Sequence, residues 1–538
     1  MLFPPEIHPV SRIVTASLII LLGYHCAANP AVSFRNFGMT LFPLISIFLI
    51  INSILSFSPY NSMAAMCDYL LFFILFIVFS KRFSSLHIKP FLVFTTIAAS
   101  IISLYGIYQH FFGFKMLARF LGESGSLFPE IFLRKVESGR VFSTFALPAA
   151  LAGFLLMTIP LTLFLVVISQ SRRSRVFYLF LLIIQSVGLF LSFSLGALIA
   201  LFLSLLVVIW FKFRRRLSMV IALSSVFVVA AFIFFSYRNI ALSRFLDTDS
   251  PLILRWGNWK AALLMIRDHP LFGVGNASFG IAFSQYREWW MNESHFAHDS
   301  FLQIVAENGL FALPFLAIFL FLLLKGAVNA ENGRASQSLK PFVSFSCLTF
   351  IFHNLFDFTF YLPSVAFLFF SLCGLALSTA PREDGERRRF LDTSRLIFIT
   401  LVTLSFLFFI SSFLGDSCFE SARRSRERGD FQRTDALLMR AKIFNPLKSE
   451  YRIYRAQLLV DADNDAKDQV TALDEARSAI SLDPSIPYYY KVLSDISVLR
   501  GEPIGAYSAI AKASELYPAD ESYRKRKDLL WKSMKIGE

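Results

Sequence analysis

The chain has 538 residues, of which 55% are hydrophobic, with 63 phenylalanines and a formal net charge of +14. Apolar runs near the roughly 20 residues needed to cross a hydrocarbon core of about 30 Å recur along it, which excludes an ordinary soluble domain. From Asp416 onward 21 Lys and Arg stand against 20 Asp and Glu, so +13 of the charge belongs to the apolar part. It falls mostly in short loops there, as topology signals do, and speaks against a nucleic-acid partner.

In chain order, spans are expected at residues 12–30, 38–58, 63–80, 90–112, 141–169, 175–193, 196–212, 217–236, 302–325, 341–359, 361–379 and 395–415. The fold class that follows is all-α. A polytopic transmembrane helical bundle of about twelve spans occupies residues 1–415, with an external loop at 237–300, and a small soluble α-helical repeat domain occupies 416–538. The first apolar run lacks a small-residue cleavage site and is read as a retained helix. Cys26, Cys67, Cys347 and Cys373 sit inside spans and Cys418 beyond them, without CxxC spacing, so they read as packing residues and no metal is expected.

Basic residues set the orientation. Lys81 and Arg82 follow the third span, Arg172, Arg173 and Arg175 the fifth, Lys212 and Arg214 to Arg216 the seventh, and Arg387 to Arg389 the eleventh. The positive-inside rule places those loops in the cytoplasm, so the loop from about Tyr237 to Asp299 and the tail after Leu414 both face outward. The N-terminus then lies outside, and one missed or re-entrant span near the start would reverse that end alone.

The tail is amphipathic, with small residues where helices would cross. Ala422, Gly429, Ala436 and Ala441 precede Asn445–Pro446; Ala472, Ala476 and Ala479 precede Asp483–Pro484; Gly501, Ala506 and Ala511 precede Tyr517–Pro518. The 34-residue interval from Pro484 to Pro518 resembles that of tetratricopeptide repeats, whose helix pairs stack into a concave binding surface. An ordinary helical bundle is the alternative.

Ionisable residues inside spans are costly unless they face a cavity or a partner. Asp68 is alone in an apolar run and reads as a helix-packing group. Glu307 either orients a partner or satisfies a buried polar contact. His353 and Asp357 are four apart, on one face if their helix is continuous, and either orient each other or line a polar cavity. The segment Arg255 to Gly309 is the one long stretch among the spans that is dense in arginine, histidine, carboxylate, tryptophan and glycine.

Three phrases of that segment, Arg255–Trp256–Gly257–Asn258–Trp259, His269–Pro270–Leu271–Phe272–Gly273–Val274–Gly275 and His298–Asp299–Ser300 with Glu307–Asn308–Gly309, resemble the O-antigen ligase/polymerase family. Gly139–Arg140 upstream and His353–Asn354–Leu355–Phe356–Asp357 downstream extend the resemblance over roughly 139–379. It implies a bacterial inner-membrane glycosyltransferase that takes a glycan from an undecaprenyl diphosphate carrier to a glycan, lipid or protein acceptor on the periplasmic face. The tail of such a protein would hold an envelope-assembly partner or the growing chain. Neither cofactor nor metal is expected. This chain departs from the family in having Asp299 where asparagine is common, and Leu195 where an arginine often follows serine between two middle spans.

The chemistry suits the residues. A guanidinium binds phosphate oxygens bidentately, and fixed positive charge stabilises a leaving diphosphate. Arg255 is the first candidate and Arg140 the second. His298 can accept the proton of an attacking hydroxyl. Arg255 and His298 are therefore the expected catalytic residues, with Arg140, Arg255, Glu307, His353 and Asp357 expected at the substrate. The bland alternatives are an interfacial anchor for Arg255 and a surface histidine near a helix N-cap for His298. Trp289 and Trp290 read as interfacial aromatics or as a sugar-stacking pair, and Gly273 and Gly275 as turn residues, since no βαβ unit surrounds them. Other functions for the same chain are repeat-unit polymerisation, protein O-glycosylation, a transporter or flippase, and a non-catalytic scaffold presenting repeats.

Overall fold

A computed structural model describes residues 37–81, 85–123, 136–212, 251–328, 339–378, 393–462 and 466–536. The spans expected at 12–30 and 217–236 and the arginines 214–216 and 387–389 lie outside the described residues. Every regular element among the described residues is a helix.

The first half holds α1 (Phe37–Ile54), α2 (Pro59–Lys81), α3 (Ser85–Tyr108), α4 (Phe114–Glu123), α5 (Pro148–Ile168), α6 (Arg172–Leu191) and α7 (Leu195–Lys212). Five described helical stretches are long and apolar enough to cross a membrane: Pro59–Ser80, His87–Phe120, Pro148–Ile168, Arg172–Leu191 and Phe398–Glu427. Pro148 starts α5 without costing a hydrogen bond, because the first helical N–H groups have no intrahelical acceptor. Ser171 caps α6 by accepting from Ser174 N at 3.1 Å.

The span expected at 141–169 begins later. Residues 139–147 are irregular and run beside a π-helical turn, Gln109–Gly113, that links α3 to α4. The wide turn frees the Gln109 side chain, whose Oε1 accepts from Phe142 N at 3.2 Å and Ser143 N at 2.9 Å.

Next come α8 (Pro251–Asp268), α9 (Phe279–Tyr286), α10 (Ser300–Asn308), α11 (Ala312–Val328), α12 (Lys340–His353) and α13 (Pro363–Ala376). Three expected spans are cut here. The span at 302–325 is two helices, because Gly309 ends α10 at φ +70°. Those at 341–359 and 361–379 shrink to α12 and α13, of 14 residues each, about 21 Å and short of a full crossing. The backbone between them turns through Asn354–Leu362, and Asp357 therefore does not share a helix face with His353.

The glycine-proline phrase seats backbone on backbone. Val274 N donates to Ala306 O at 3.0 Å, Gly275 N to Glu307 O at 2.9 Å and Leu310 N to Pro270 O at 2.7 Å. From α1, the buried Asn52 closes the joint, its Oδ1 accepting from Asn276 N at 2.9 Å while its Nδ2 donates to Phe272 O at 2.7 Å and Glu307 O at 3.0 Å.

The tail is α14 (Thr393–Glu427), α15 (Phe431–Phe444), α16 (Ser449–Ala462), α17 (Ala466–Leu482), α18 (Pro487–Leu499), α19 (Pro503–Leu516) and α20 (Glu521–Ile536). Continuous helix runs through the expected boundary near Asp416, from the apolar part into the tail. Pro446, Pro484 and Pro518 each stand in a turn between two helices, and Ala422, Ala441, Ala472, Ala476, Ala479 and Ala506 are fully buried where helices pack. Ala436, expected among them, is exposed.

Loop and tail touch. Arg287 donates to Tyr517 OH, which donates to Glu293 Oε1 at 2.9 Å, and Ser284 Oγ donates to Leu516 O at 3.2 Å. Both therefore lie on one face of the bundle.

Gly309 and Gly429 both have positive φ, but a Cβ on Gly429 meets nothing within 4 Å, whereas one on Gly309 lies 2.1 Å from Leu271 O. Gly429→Ala should cost about 1–2 kcal/mol from backbone conformation alone. Gly309→Ala should cost clearly more, read as a larger fall in unfolding temperature in detergent.

Candidate active site

The site is built where two helices stop. Asp299 caps α10, its Oδ1 accepting from Phe301 N and Leu302 N at 3.0 Å each. Aspartate and asparagine cap equally well, which gives Asp299 a structural reason at a position where asparagine is the commoner residue. Ser300 then plugs the turn after α12. Its N donates to Asn354 O at 2.9 Å and Asp357 O at 3.1 Å, and its Oγ to Asn354 Oδ1 at 2.8 Å and Asp357 O at 3.0 Å. Asn354 Oδ1 also accepts from Thr359 Oγ1 at 3.1 Å and Phe360 N at 2.8 Å.

These bonds hold His298 next to the turn, with its ring edge-on to Phe358 at 4.8 Å between centroids. Its φ of +56° lies in the left-handed region, which costs a non-glycine residue energy and is found where surrounding contacts impose it. Among the described residues the buried Nδ1 has no hydrogen-bond partner, which leaves it open to a ligand. Burial holds the imidazole below the usual histidine value; the Asp357 charge opposes that shift and the Arg255 charge adds to it.

Arg255, on α8, is half-buried and forms no ion pair among the described residues. Its charge and that of Asp357 reach His353 as well as His298. The structure thus brings Arg255 and Asp357 each within electrostatic range of both His298 and His353.

Their surroundings differ. His353 is fully buried, its Nε2 3.1 Å from Ala149 O, with Gly153 and Gly196 leaving room for the ring. Asp357 Oδ1 accepts from Phe358 N at 2.8 Å. Glu307 is fully buried and accepts from Gln303 Nε2 at 3.0 Å, Tyr361 OH at 3.1 Å and Phe279 N at 3.4 Å. That set of bonds ties α10 to α9 and to the turn before α13.

Arg140 stands at the connection between α6 and α7, its Nε donating to Ser192 O at 3.2 Å. This is the connection in which Leu195 replaces an expected arginine, so a guanidinium reaches it from another segment. Trp289 is 84% exposed and Trp256 57%, whereas Trp290 donates to Glu288 Oε2 at 2.6 Å and covers Gly257.

Residues 178–317, from within α6 to within α11, match the family model described as O-antigen ligase. The chain carries an O-antigen ligase domain. Membrane glycosyl transfer is the activity class that goes with this domain. A comparison with curated proteins gave no match. The O-antigen ligase domain includes Arg255, His298 and Glu307; Arg140, His353 and Asp357 come to it from outside the matched residues.

Ser300, Asn354 and Asn52 carry much of the geometry around this domain; the first two stood in the resembling phrases without a role, and Asn52 was not singled out from sequence. Their signal was weak: small amides and hydroxyls inside apolar runs usually bond to their own helix.

Asp299→Asn should leave stability within about 0.5 kcal/mol of the parent, whereas Asp299→Ala should lose about 1 kcal/mol through the open cap. Unfolding of the purified variants in detergent measures both.

Proposed function

We propose that the chain transfers a saccharide from an undecaprenyl diphosphate carrier to an acceptor hydroxyl on the periplasmic face of a bacterial inner membrane, as an O-antigen ligase-type enzyme. The observation that carries this reading is Arg255, which forms no ion pair among the described residues, within electrostatic reach of the half-buried His298, whose buried Nδ1 has no partner there. A half-buried guanidinium binds an anion well, and a diphosphate at the membrane surface supplies one.

In the proposed reaction the acceptor oxygen attacks the anomeric carbon while His298 takes its proton. The bond from that carbon to the diphosphate oxygen breaks, and its electron pair stays on the diphosphate. Arg255 stabilises the charge that develops there, and Arg140 adds a second guanidinium. Because burial keeps His298 neutral below the usual histidine range, it is ready as a base at neutral pH.

Sidedness rests on α6. Its 20 residues, about 30 Å, separate the basic cluster Arg172–Arg175 from the Ser192 connection that Arg140 reaches. With the cluster in the cytoplasm, the site and the tail face outward. Ligation to a lipid or core glycan, polymerisation of repeat units and transfer to protein all use this chemistry, and only the acceptor distinguishes them. A flippase would gather its polar groups at mid-membrane, whereas here they collect at helix ends beside the loop.

Arg255→Ala and His298→Ala should each lower transfer by about 100-fold or more while membrane expression is retained. Wild-type transfer by either variant would remove that residue from the mechanism. The acid limb of the rate should lie below the ordinary histidine value of about 6.5. Asp357 raises the His298 value, so Asp357→Asn should move that limb to still lower pH; an unmoved limb would exclude His298 as the titrating base.

A further inference from the structure

Along α14, Leu396, Leu404, Leu407 and Leu414 are exposed, at the spacing of one helix face. The stretch from Phe398 is long and apolar enough to cross a membrane, and a bare leucine stripe on such a helix is the side it turns to lipid. Its uncharged run from Leu396 ends at Asp416, so the part from Leu396 to Leu414 measures about 28 Å, close to the thickness of a hydrocarbon core.

The tail returns to this stripe. Ser411 lies on it, between Leu407 and Leu414, and its Oγ donates to Phe444 O at the end of α15. The last turn of α15 is therefore level with the apolar run of α14, inside Asp416. Asn445 Nδ2 donates to Tyr60 OH at 3.2 Å, and Tyr60 OH shares a hydrogen bond of 2.6 Å with Ser412 Oγ, which fixes the same turn to the start of α2. Lys448 Nζ pairs with Asp416 Oδ1 at 2.7 Å. The polar residues of the turn between α15 and α16 thus point into the protein, whereas its apolar ones do not: Ile443 is 74% exposed, and Phe444 and Leu447 are 40% and 41% exposed. Arg440, also exposed, shares the face of Ile443 and Phe444 by its spacing.

We propose that this turn is seated in the membrane interface, with Ile443, Phe444 and Leu447 at the edge of the hydrocarbon and Arg440 at the lipid phosphates. Apolar side chains flanked by an exposed cation are the pattern of interfacial helices. Lipid is the occupant because the patch continues the lipid-facing stripe of α14 at its own depth, where a soluble partner would have to enter the bilayer to reach it. The tail is then held on the membrane beside the loop and is not a free domain at the end of α14. The seat follows from the crossing of α14 and is independent of the reaction.

Two measurements on the full chain test this seat. In bacterial membranes, a diazirine amino acid replaces Ile443 or, as a control on the same tail, the equally exposed Ile504. The expected result is a phospholipid adduct at 443 and none at 504. In nanodiscs of phosphatidylethanolamine and phosphatidylglycerol, Ile443→Cys and Ile504→Cys are labelled with a water-soluble maleimide, after subtraction of the labelling of the parent. The thiolate that reacts is disfavoured beside hydrocarbon, so position 443 should label about 10-fold or more slowly than 504, with the difference lost on unfolding in dodecyl sulfate. A protein adduct at 443, lipid adducts of equal yield at both positions, no lipid adduct at 443, or equal labelling rates would each overturn the proposal.

Discussion

Polar groups placed in or beside hydrocarbon must find partners within the protein, and the turn after α12 meets that demand with Ser300. Ending α12 at His353 frees carbonyl groups that a continuous span would have satisfied. Ser300 N and Oγ take up Asn354 O, Asn354 Oδ1 and Asp357 O, and Asn354 Oδ1 in turn gathers Thr359 and Phe360. One residue at the start of α10 thus binds the outer loop to the broken helix. His298, two positions earlier, is carried to Asp357 and Phe358 by the same contact. Without it, Arg255 on α8 and the groups on the turn would have no common frame.

A second joint lies at the other end of α10. The backbones of Pro270–Gly275 and Ala306–Leu310 approach so closely that a Cβ on Gly273 would sit 2.4 Å from Glu307 C. Glycine is required there by a neighbouring backbone as well as by φ. Asn52 reaches this joint from α1, so the loop is anchored to the bundle at both ends of one short helix. The tail adds a third attachment through Tyr517, which brings its helices to the same face as the loop.

Periodicity and hydropathy made the helical class and most helix positions readable, because runs such as Pro148–Ile168 are uncharged and almost wholly apolar. They could not show where a span breaks. Gly309 and Asn354 interrupt helices inside stretches whose mean hydropathy stays high, and the reason for each break is a partner distant in sequence: Leu271 for Gly309, Ser300 for Asn354. The same limit misplaced Asp357, which spacing put on a face with His353. Arg255 and His298 stood out through the family resemblance of the phrases that hold them, since position alone left an interfacial anchor and a surface histidine open. What spacing could not give was their common neighbourhood with His353 and Asp357, or the docking of Arg140 on Ser192.

The central claim is that a saccharide leaves a lipid diphosphate by attack of an acceptor hydroxyl. Purified full-length protein, incubated with undecaprenyl diphosphate-linked oligosaccharide and a panel of glycan, lipid and protein acceptors, tests it directly. Glycosylated acceptor and free undecaprenyl diphosphate should appear in equal amounts. Carrier that stays intact with every acceptor, or that is split to undecaprenyl monophosphate, would contradict the account.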